Sequence, residues 1–239
     1  LPLVLVGDSL GMTVLGYETT LPVTMEQMLH HTAAAARGVR SALLVGDMPF
    51  MSYQVSVEQG LANAGRFLKE GGADAVKIEG GVIRSSLISA LVGNGIPVLG
   101  HIGLTPQSIR EMGGYRVQGK TPEAVERLLA DARAVESAGA FALVVECVPP
   151  DVGEAITRAV GIPTIGIGAG PHCDGQILVW HDCLGLTPVN RLPRFARRFA
   201  DLDGEIRHAL KEYQEAVRTG HFPDSSHCYS GEGSGKKNS

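Results

Sequence analysis

Short apolar runs alternate along the chain with longer segments of helical periodicity, and five of the runs end in a polar side chain. In chain order these are Asp8, Asp47, Glu79, His101 and Glu146. Burying an unpaired charge at the end of a strand costs several kcal/mol, so a repeated pattern of this kind calls for a common cause. In barrels of alternating strands and helices, the catalytic groups lie at the C-terminal ends of the strands. The pattern therefore predicts a parallel barrel whose strand ends form one polar site.

The periodicity predicts seven strands with helices between them. The strands are expected near residues 3–7, 42–47, 74–79, 96–101, 141–146, 163–168 and 176–180. The helices are expected near residues 25–37, 56–70, 83–93, 106–111, 121–137 and 150–159. Continuously apolar strands are typical of a parallel sheet that is buried on both faces. Thr24, Ser56 and Thr121 are the expected N-caps.

Seven strands are one short of a closed eight-stranded barrel, and the chain enters a strand directly at Leu1-Pro2-Leu3. We therefore predict an α/β fold of the (β/α)₈ TIM type whose first strand is absent from this chain. A doubly wound open sheet is the alternative architecture, and it would form a site at one switch point rather than at most strand ends.

Three regions are expected along the chain. Residues 1–193 form the barrel and residues 194–224 a charged amphipathic helical segment, with a helix from Arg194 to Gly220, that packs on the barrel or on a neighbouring subunit. Residues 225–239 have little apolar content and are predicted to be disordered.

The composition argues against nucleic-acid binding and against a membrane-spanning protein. The 239 residues are 44% hydrophobic and carry a net charge of −4, which gives no basic footprint for nucleic acid. No apolar run reaches the roughly 18 residues of a membrane span. The four cysteines have no CxxC spacing, which favours free thiols and a cytoplasmic location.

Asp8 and Asp47 are candidate ligands of a divalent cation. A cation that is held by two carboxylates and keeps its other coordination positions for water and substrate is more typically Mg²⁺ than Zn²⁺. Alternatively, Asp8 caps the segment that follows it, and Asp47 caps the turn before Pro49.

Lys77 and Glu79 are two residues apart on one strand, so both side chains face the same side, which we expect to be the barrel interior. Lys77 is then either a Schiff-base nucleophile or a cationic clamp for a substrate carboxylate. The neighbouring glutamate keeps the amine protonated, which favours the clamp.

Glu146 is expected to stand alone at its strand end, where few partners would raise the pKa of the carboxyl and make it a general base. The alternative is an acidic residue at a helix start. His101 is a possible auxiliary residue, either as a metal ligand, a proton shuttle or a hydrogen-bonding wall. Ser9 follows Asp8 and is expected to bind a substrate oxygen through its hydroxyl.

Eight motifs occur in one order along the chain. They are Val6–Met12, Thr20–Thr24, Asp47–Phe50, Val76–Gly81, Gly100–Gln107, Gly113–Gly119, Glu146–Pro149 and Ile165–Gly170. Together they resemble the ketopantoate hydroxymethyltransferase family from residue 3 to about residue 223. This sequence departs from the family pattern in two places. The family's first strand is missing, and residues 186–193 fit the pattern less well.

The resemblance implies a Mg²⁺-dependent aldol-type transfer of a one-carbon group from 5,10-methylenetetrahydrofolate to 3-methyl-2-oxobutanoate. The product would be 2-dehydropantoate, a precursor in pantothenate and coenzyme A biosynthesis. By motif, Asp8, Asp47 and Glu79 would hold the metal. Asp8, Ser9, Asp47 and Lys77 would bind the keto acid, and Glu146 would be the base. The family also implies a homodecamer.

Three alternatives stay open at this point. A Mg²⁺-dependent lyase or mutase of the phosphoenolpyruvate mutase and isocitrate lyase type would share the barrel and its metal-binding carboxylates. A Schiff-base aldolase would use Lys77. An inactive, truncated barrel would keep only an oligomerisation surface.

Overall fold

The computed structural model describes residues 2–229, and its centre is a sheet of seven parallel strands in the order β1 to β7. The strands are β1 Leu3–Val6, β2 Leu43–Asp47, β3 Ala75–Glu79, β4 Val98–Gly103, β5 Ala142–Glu146, β6 Thr164–Ile167 and β7 Gly175–Gln176. Each strand pairs in parallel with its successor along the chain. A doubly wound sheet would reverse this order at a switch point, so the open-sheet alternative is wrong.

Helices connect the successive strands from β1 to β6, as expected for a βα barrel, whereas β6 and β7 are joined by a loop and the last two helices follow β7. The helices are α1 Leu10–Thr13, α2 Met25–Gly38, α3 Val57–Lys69, α4 Ser85–Gly93, α5 Pro122–Ser137, α6 Pro150–Ala159, α7 Trp180–Cys183 and α8 Leu202–Thr219. The predicted caps are confirmed: Thr24 forms a full capping box with Gln27, and Ser56 and Thr121 each accept a hydrogen bond from the backbone three residues on. Sequence and structure therefore agree on where these three helices begin.

Both faces of the sheet are covered by apolar side chains. The larger cluster lies between the sheet and the helices and includes Phe67, which is fully buried. The smaller cluster lines the other face, and its buried members are Val45, Ala75, Leu99, Ala142 and Val144. Burial on both faces explains why the strands read as continuous apolar runs.

Two predicted strand ends are wrong by a few residues. β4 does not end at His101 but continues to Gly103, because β5 extends to Glu146 and supplies a partner for Gly103. The last strand was expected to reach Trp180, yet β7 ends at Gln176. Beyond Gln176, one further backbone hydrogen bond joins the chain to the neighbouring strand β6 among the described residues, from the N–H of Ile177 to the carbonyl oxygen of Gly166.

The helix expected from Arg194 begins only at Leu202 and runs through Gly204 without interruption. The preceding segment is held as a loop, because the guanidinium of Arg198 donates to two backbone carbonyls and the backbone N–H of Phe199 donates to Cys183. These bonds replace the ladder that a helix would form over the same residues.

The described residues form two compact units that divide between Val179 and Trp180. The first contains the sheet, and the second contains α7 and α8. Ser225–His227 form a single 3₁₀ turn, and residues 230–239 of the tail predicted to be disordered lie outside the described residues. No helix within residues 2–229 is both long and apolar enough to span a bilayer.

Candidate active site

A layer of charged side chains lies directly above the inner apolar cluster. Side chains two residues apart on a strand share a face, so each strand that buries an apolar residue inward also presents a polar one at its C-terminal end. The pairs are Val45 and Asp47, Ala75 and Lys77, Leu99 and His101, and Val144 and Glu146. The inward orientation expected for Lys77 and Glu79 is therefore what the strand geometry gives.

Lys77 is the cationic centre of this layer. Its Nζ lies 2.8 Å from Asp47 Oδ1 and 3.6 Å from Glu79 Oε1, and both carboxylates are buried. Burial works against the charged amine, but the charges of Asp47, Glu79 and Asp8 outweigh it and raise the pKa of Lys77 above its ordinary value. A protonated amine has no free electron pair, so Lys77 in this state is a poor nucleophile but can still attract an anion.

Asp8 lies beside Asp47 at the neighbouring strand end. The backbone N–H of Asp8 donates to Asp47 Oδ2 at 3.0 Å, and Asp8 Oδ2 accepts a hydrogen bond from Gln107. Burial, followed by the charges of Asp47 and Glu79, raises the pKa of the Asp8 carboxyl well above its ordinary value. Within the described residues neither carboxylate accepts from the backbone of the segment that follows it, so the alternative capping roles are wrong.

The donor set fits a divalent cation. Among the described residues of this layer, four carboxylates (Asp8, Asp47, Glu79 and Glu146) face two basic side chains, Lys77 and His101, so acidic groups outnumber basic ones. Asp47 Oδ1 and Glu79 Oε1 are buried and accept no hydrogen bond of good geometry from any described residue, although Lys77 is within ion-pair distance of both. No cluster of three or more His, Cys, Asp or Glu side chains in residues 2–229 is already arranged around a metal position. Mg²⁺ does not require one, because it commonly takes one or two carboxylates and fills its other positions with water and substrate.

The sequence predicted that Glu146 stands alone at its strand end, and this prediction is wrong because His101 lies beside it. His101 Nε2 lies 3.0 Å from Glu146 Oε2, which is within ion-pair distance although the angles are not those of a hydrogen bond. His101 Nδ1 lies 3.5 Å from Glu79 Oε1. Burial opposes a charge on the imidazole, as does Lys77, but the carboxylates of Glu146 and Glu79 outweigh both and raise the pKa of His101 to about 9.

Ser9 lies at the N-terminus of the one-turn helix α1, next to the acidic pair. A Cβ added to Gly7 would be 3.0 Å from Ser9 Oγ and 3.8 Å from Asp47 Oδ2, so both oxygens border one small space. The side chain of Ser9 is half-buried and does not cap α1. Its hydroxyl is therefore available to a ligand that also contacts Asp47.

Three residues near the site had no role in the sequence prediction. Gln107 and Tyr53 are buried and hydrogen-bonded to each other, and Gln107 also contacts Asp8. Tyr115, in the glycine-rich loop 113–119, is partly exposed, and burial followed by the charges of Asp8, Glu146 and Glu79 raises the pKa of its phenol. Gln107 ends the motif Gly100–Gln107, but an uncharged amide in the loop after β4 does not stand out as a site residue.

A sequential parallel α/β sheet with buried, opposed acidic and basic groups at its C-terminal edge defines an enzyme of the TIM-barrel class. The sequence matches the profile of the ketopantoate hydroxymethyltransferase family over residues 1–225. It is 56% identical over 225 residues to 3-methyl-2-oxobutanoate hydroxymethyltransferase of Carboxydothermus hydrogenoformans, covering 94% of this chain and 81% of the relative. For the protein of the same name from Thermotoga neapolitana, identity is 55% over 233 residues, covering 98% and 86%. The chain belongs to the ketopantoate hydroxymethyltransferase family.

Solved structures of more distant proteins share the fold. Phosphonopyruvate hydrolase matches with a TM-score of 0.53 and 12% identity, covering 94% of this chain and 78% of the other. A putative lyase/mutase from Burkholderia cenocepacia J2315 matches with a TM-score of 0.51 and 17% identity, covering 95% and 80%. At these identities the similarity concerns the barrel alone and does not favour the lyase or mutase alternative.

Proposed function

We propose that this enzyme transfers a hydroxymethyl group from 5,10-methylenetetrahydrofolate to 3-methyl-2-oxobutanoate and forms 2-dehydropantoate. The observation that carries the proposal is that two groups of side chains lie next to each other at the C-terminal edge of the sheet. One group is the acidic set around Lys77, which suits a cation and a keto acid. The other is Glu146 with His101, which suits proton transfer. Family membership supplies the substrate class.

Asp8 and Asp47 would hold Mg²⁺, and Glu79 would reach it directly or through a water molecule. When bound, the metal supplies Lewis-acid stabilisation of the negative charge that develops on the keto oxygen. Asp47 Oδ1 and Glu79 Oε1 support this assignment, since both oxygens are buried and neither accepts a hydrogen bond of good geometry from the described residues beyond its ion-pair contacts.

The protein's own side chains would orient the keto acid. Lys77 neutralises the substrate carboxylate, and Asp47 holds the lysine in place through their 2.8 Å ion pair. Ser9 donates its hydroxyl hydrogen to a substrate oxygen. These contacts bind without covalent chemistry, and they fix which carbon of the substrate faces Glu146.

Glu146 would remove the proton from C3 of the keto acid, and the resulting carbanion would form a new C–C bond to the methylene carbon of the donor. The balanced reaction breaks both bonds from that methylene carbon to the nitrogens of tetrahydrofolate. Water supplies the hydroxyl group of the product and one N–H hydrogen, and the C3 proton becomes the other. His101, whose Nε2 lies 3.0 Å from Glu146 Oε2, would orient the carboxylate toward the C3 hydrogen.

A turnover assay with both substrates tests the proposal, with and without Mg²⁺ and with phosphonopyruvate as the competing substrate of a lyase or hydrolase. Formation of 2-dehydropantoate only in the presence of the metal is the expected result. Metal-dependent cleavage of phosphonopyruvate with no transfer of the one-carbon group would overturn it in favour of the alternative class.

We also propose a homodecamer, which the family resemblance supports, and a cytoplasmic location, which the cysteine spacing supports. α8 carries Ile206, Leu210 and Tyr213 at helical spacing, and we propose that the segment 194–224 packs on the barrel of its own or a neighbouring subunit. Light scattering of the purified protein measures the mass and distinguishes a decamer of this 25.2 kDa chain from smaller assemblies.

A further inference from the structure

The amide of Gln107 lies at the centre of a buried hydrogen-bond network beneath the acidic group. Its Nε2 donates to Asp8 Oδ2 at 3.0 Å and to the carbonyl oxygen of Met48 at 2.8 Å. Its Oε1 accepts from the Tyr53 hydroxyl at 2.7 Å and from Gln54 Nε2 at 3.0 Å. The residue is only 5% exposed.

These four bonds use the whole capacity of the side chain, which has two hydrogens on nitrogen and two acceptor sites on oxygen. Rotating the amide by 180° would set its oxygen against Asp8 and the Met48 carbonyl, and its hydrogens against the amide of Gln54. The network therefore fixes which end of Gln107 faces Asp8.

The same residue also reaches Glu79. Its backbone N–H donates to Glu79 Oε2 at 3.0 Å, and the hydroxyl of Tyr53 accepts from the backbone N–H of Glu79 at 3.2 Å. Gln107, which follows β4, thus contacts residues at the ends of three other strands. These are Asp8 after β1, Met48 after β2 and Glu79 at the end of β3.

We propose that Gln107 is a positioning residue that sets the orientation of the Asp8 and Glu79 carboxylates for the cation, an inference that rests on the metal-dependent function proposed above. In each of these carboxylates one oxygen accepts a hydrogen bond from Gln107, Oδ2 in Asp8 and Oε2 in Glu79, which would leave the other oxygen for the cation. Glu79 Oε1, the oxygen that Gln107 does not hold, is one of the buried acceptors without a hydrogen bond.

A neutral amide suits this task better than a charged donor. A lysine or arginine at the same place would neutralise Asp8 and weaken its attraction for a divalent cation. Gln107 donates a hydrogen bond and leaves the charge of the carboxylate intact. Partners that orient metal-binding carboxylates in this way typically contribute about 10- to 100-fold to metal affinity.

The test measures Mn²⁺ binding by calorimetry, with neither substrate present, for the full chain and for Gln107→Met. Methionine keeps the length of the side chain and removes both the donor and the acceptor. Binding about 10- to 100-fold weaker than in the unchanged protein is expected. Gln176→Met is the matched control, since the exposed amide of Gln176 bonds only to the backbone of Gly170 among the described residues.

A double-mutant cycle with Asp8→Asn separates positioning from a general loss of structure. If Gln107 acts through Asp8, the Gln107→Met change should weaken Mn²⁺ binding much less in the Asp8→Asn background. An equal effect in both backgrounds would show a merely structural role and overturn the inference.

A further variant covers the case in which Gln107→Met does not fold. Tyr53→Phe removes one of the two bonds to Gln107 Oε1, together with the acceptor for the backbone N–H of Glu79, and should weaken Mn²⁺ binding by at least about fivefold, the effect of one neutral hydrogen bond. Unchanged binding in Tyr53→Phe, or in a folded Gln107→Met, would overturn the role of Gln107 while leaving the proposed function intact. Failure of the unchanged protein to bind Mn²⁺ would instead overturn the metal assignment, and this inference with it.

Discussion

His101 Nε2 lies 3.0 Å from Glu146 Oε2, and this contact joins the acidic group around Lys77 to the proposed base. The other ring nitrogen, Nδ1, is 3.2 Å from Lys77 Nζ. The contact arises because β4 and β5 pair in a register that sets His101 opposite Val144, two residues before Glu146. A substrate bound at Lys77 would therefore lie within reach of the carboxylate that is to accept its proton.

The first prediction concerns the base. Glu146→Gln should leave keto-acid binding within a fewfold of normal and lower exchange of the C3 hydrogen for deuterium by about 10² or more, because an amide cannot accept the proton. Proton NMR of the keto acid in D₂O measures the exchange. Glu123→Gln, an exposed position in the first turn of α5, is the matched control. Exchange at a near-native rate would move the base role elsewhere, with His101 the first candidate.

The second prediction concerns the neighbour of that base. His101→Gln removes the cation beside Glu146 but leaves the carboxylate in place. We expect exchange to fall about tenfold, less than the ~10²–10⁴ that a proton-transfer group itself contributes. If His101→Gln abolishes exchange as completely as Glu146→Gln does, the histidine takes part in the proton transfer directly.

Much of the fold was predictable, because its signals are local. Apolar runs, N-caps such as Thr24 and Thr121, and a proline at the first helical position are all read within a few residues. The lengths of the strands were harder to predict from the sequence, because each length depends on pairing with a neighbouring strand. The end of β4, for example, is set by β5, which supplies Glu146 as the partner of Gly103.

The candidate site was predictable only where a charge stood out against an apolar strand. Asp8, Asp47, Lys77 and Glu79 break the expected pattern, so sequence alone points to them. Gln107 does not, because an amide in a loop is ordinary until its buried partners are known. The contact of His101 with Glu146 joins residues 45 positions apart and depends on strand register, so its distance could not be read from the sequence.

The third prediction tests the metal. Asp47→Ala should abolish Mg²⁺-dependent binding of the keto acid, because Asp47 would serve the metal and also holds Lys77 at 2.8 Å. Calorimetric titration of the keto acid with and without Mg²⁺ measures it. Asp151→Ala, an exposed position in the first turn of α6, should behave like the unchanged protein. A variant at Asp47 that keeps metal-dependent affinity would contradict the assignment.

The fourth prediction separates metal from Schiff-base chemistry. Lys77 lies against Asp47 and Glu79, which keep its amine protonated and unable to attack a carbonyl. Borohydride reduction in the presence of the keto acid should therefore leave the mass of the protein unchanged. A stable adduct mapped to Lys77 by peptide mass spectrometry would instead support the aldolase alternative.

The fifth prediction concerns the packing beneath Asp47. Gly46 faces the helix layer, and a Cβ added there would overlap Cδ1 of the buried Phe67 ring on α3. Gly46→Ala should therefore overpack the core and lower the free energy of unfolding by about 1–3 kcal/mol. Phe67→Ala should lower it by about 3–5 kcal/mol, because it leaves a cavity.

Combining the two substitutions should cost less than their sum, because the added methyl group enters the space that the ring has left. Urea unfolding of both single variants and of the double variant measures the coupling. Gly65→Ala is the control on the same helix: an added Cβ there meets no atom within 4 Å, so removing a helical glycine should stabilise the protein by about 0.5–1 kcal/mol. If the losses in the free energy of unfolding for Gly46→Ala and Phe67→Ala are strictly additive, the added methyl group does not compete with the Phe67 ring for space. The glycine before Asp47 would then need another explanation.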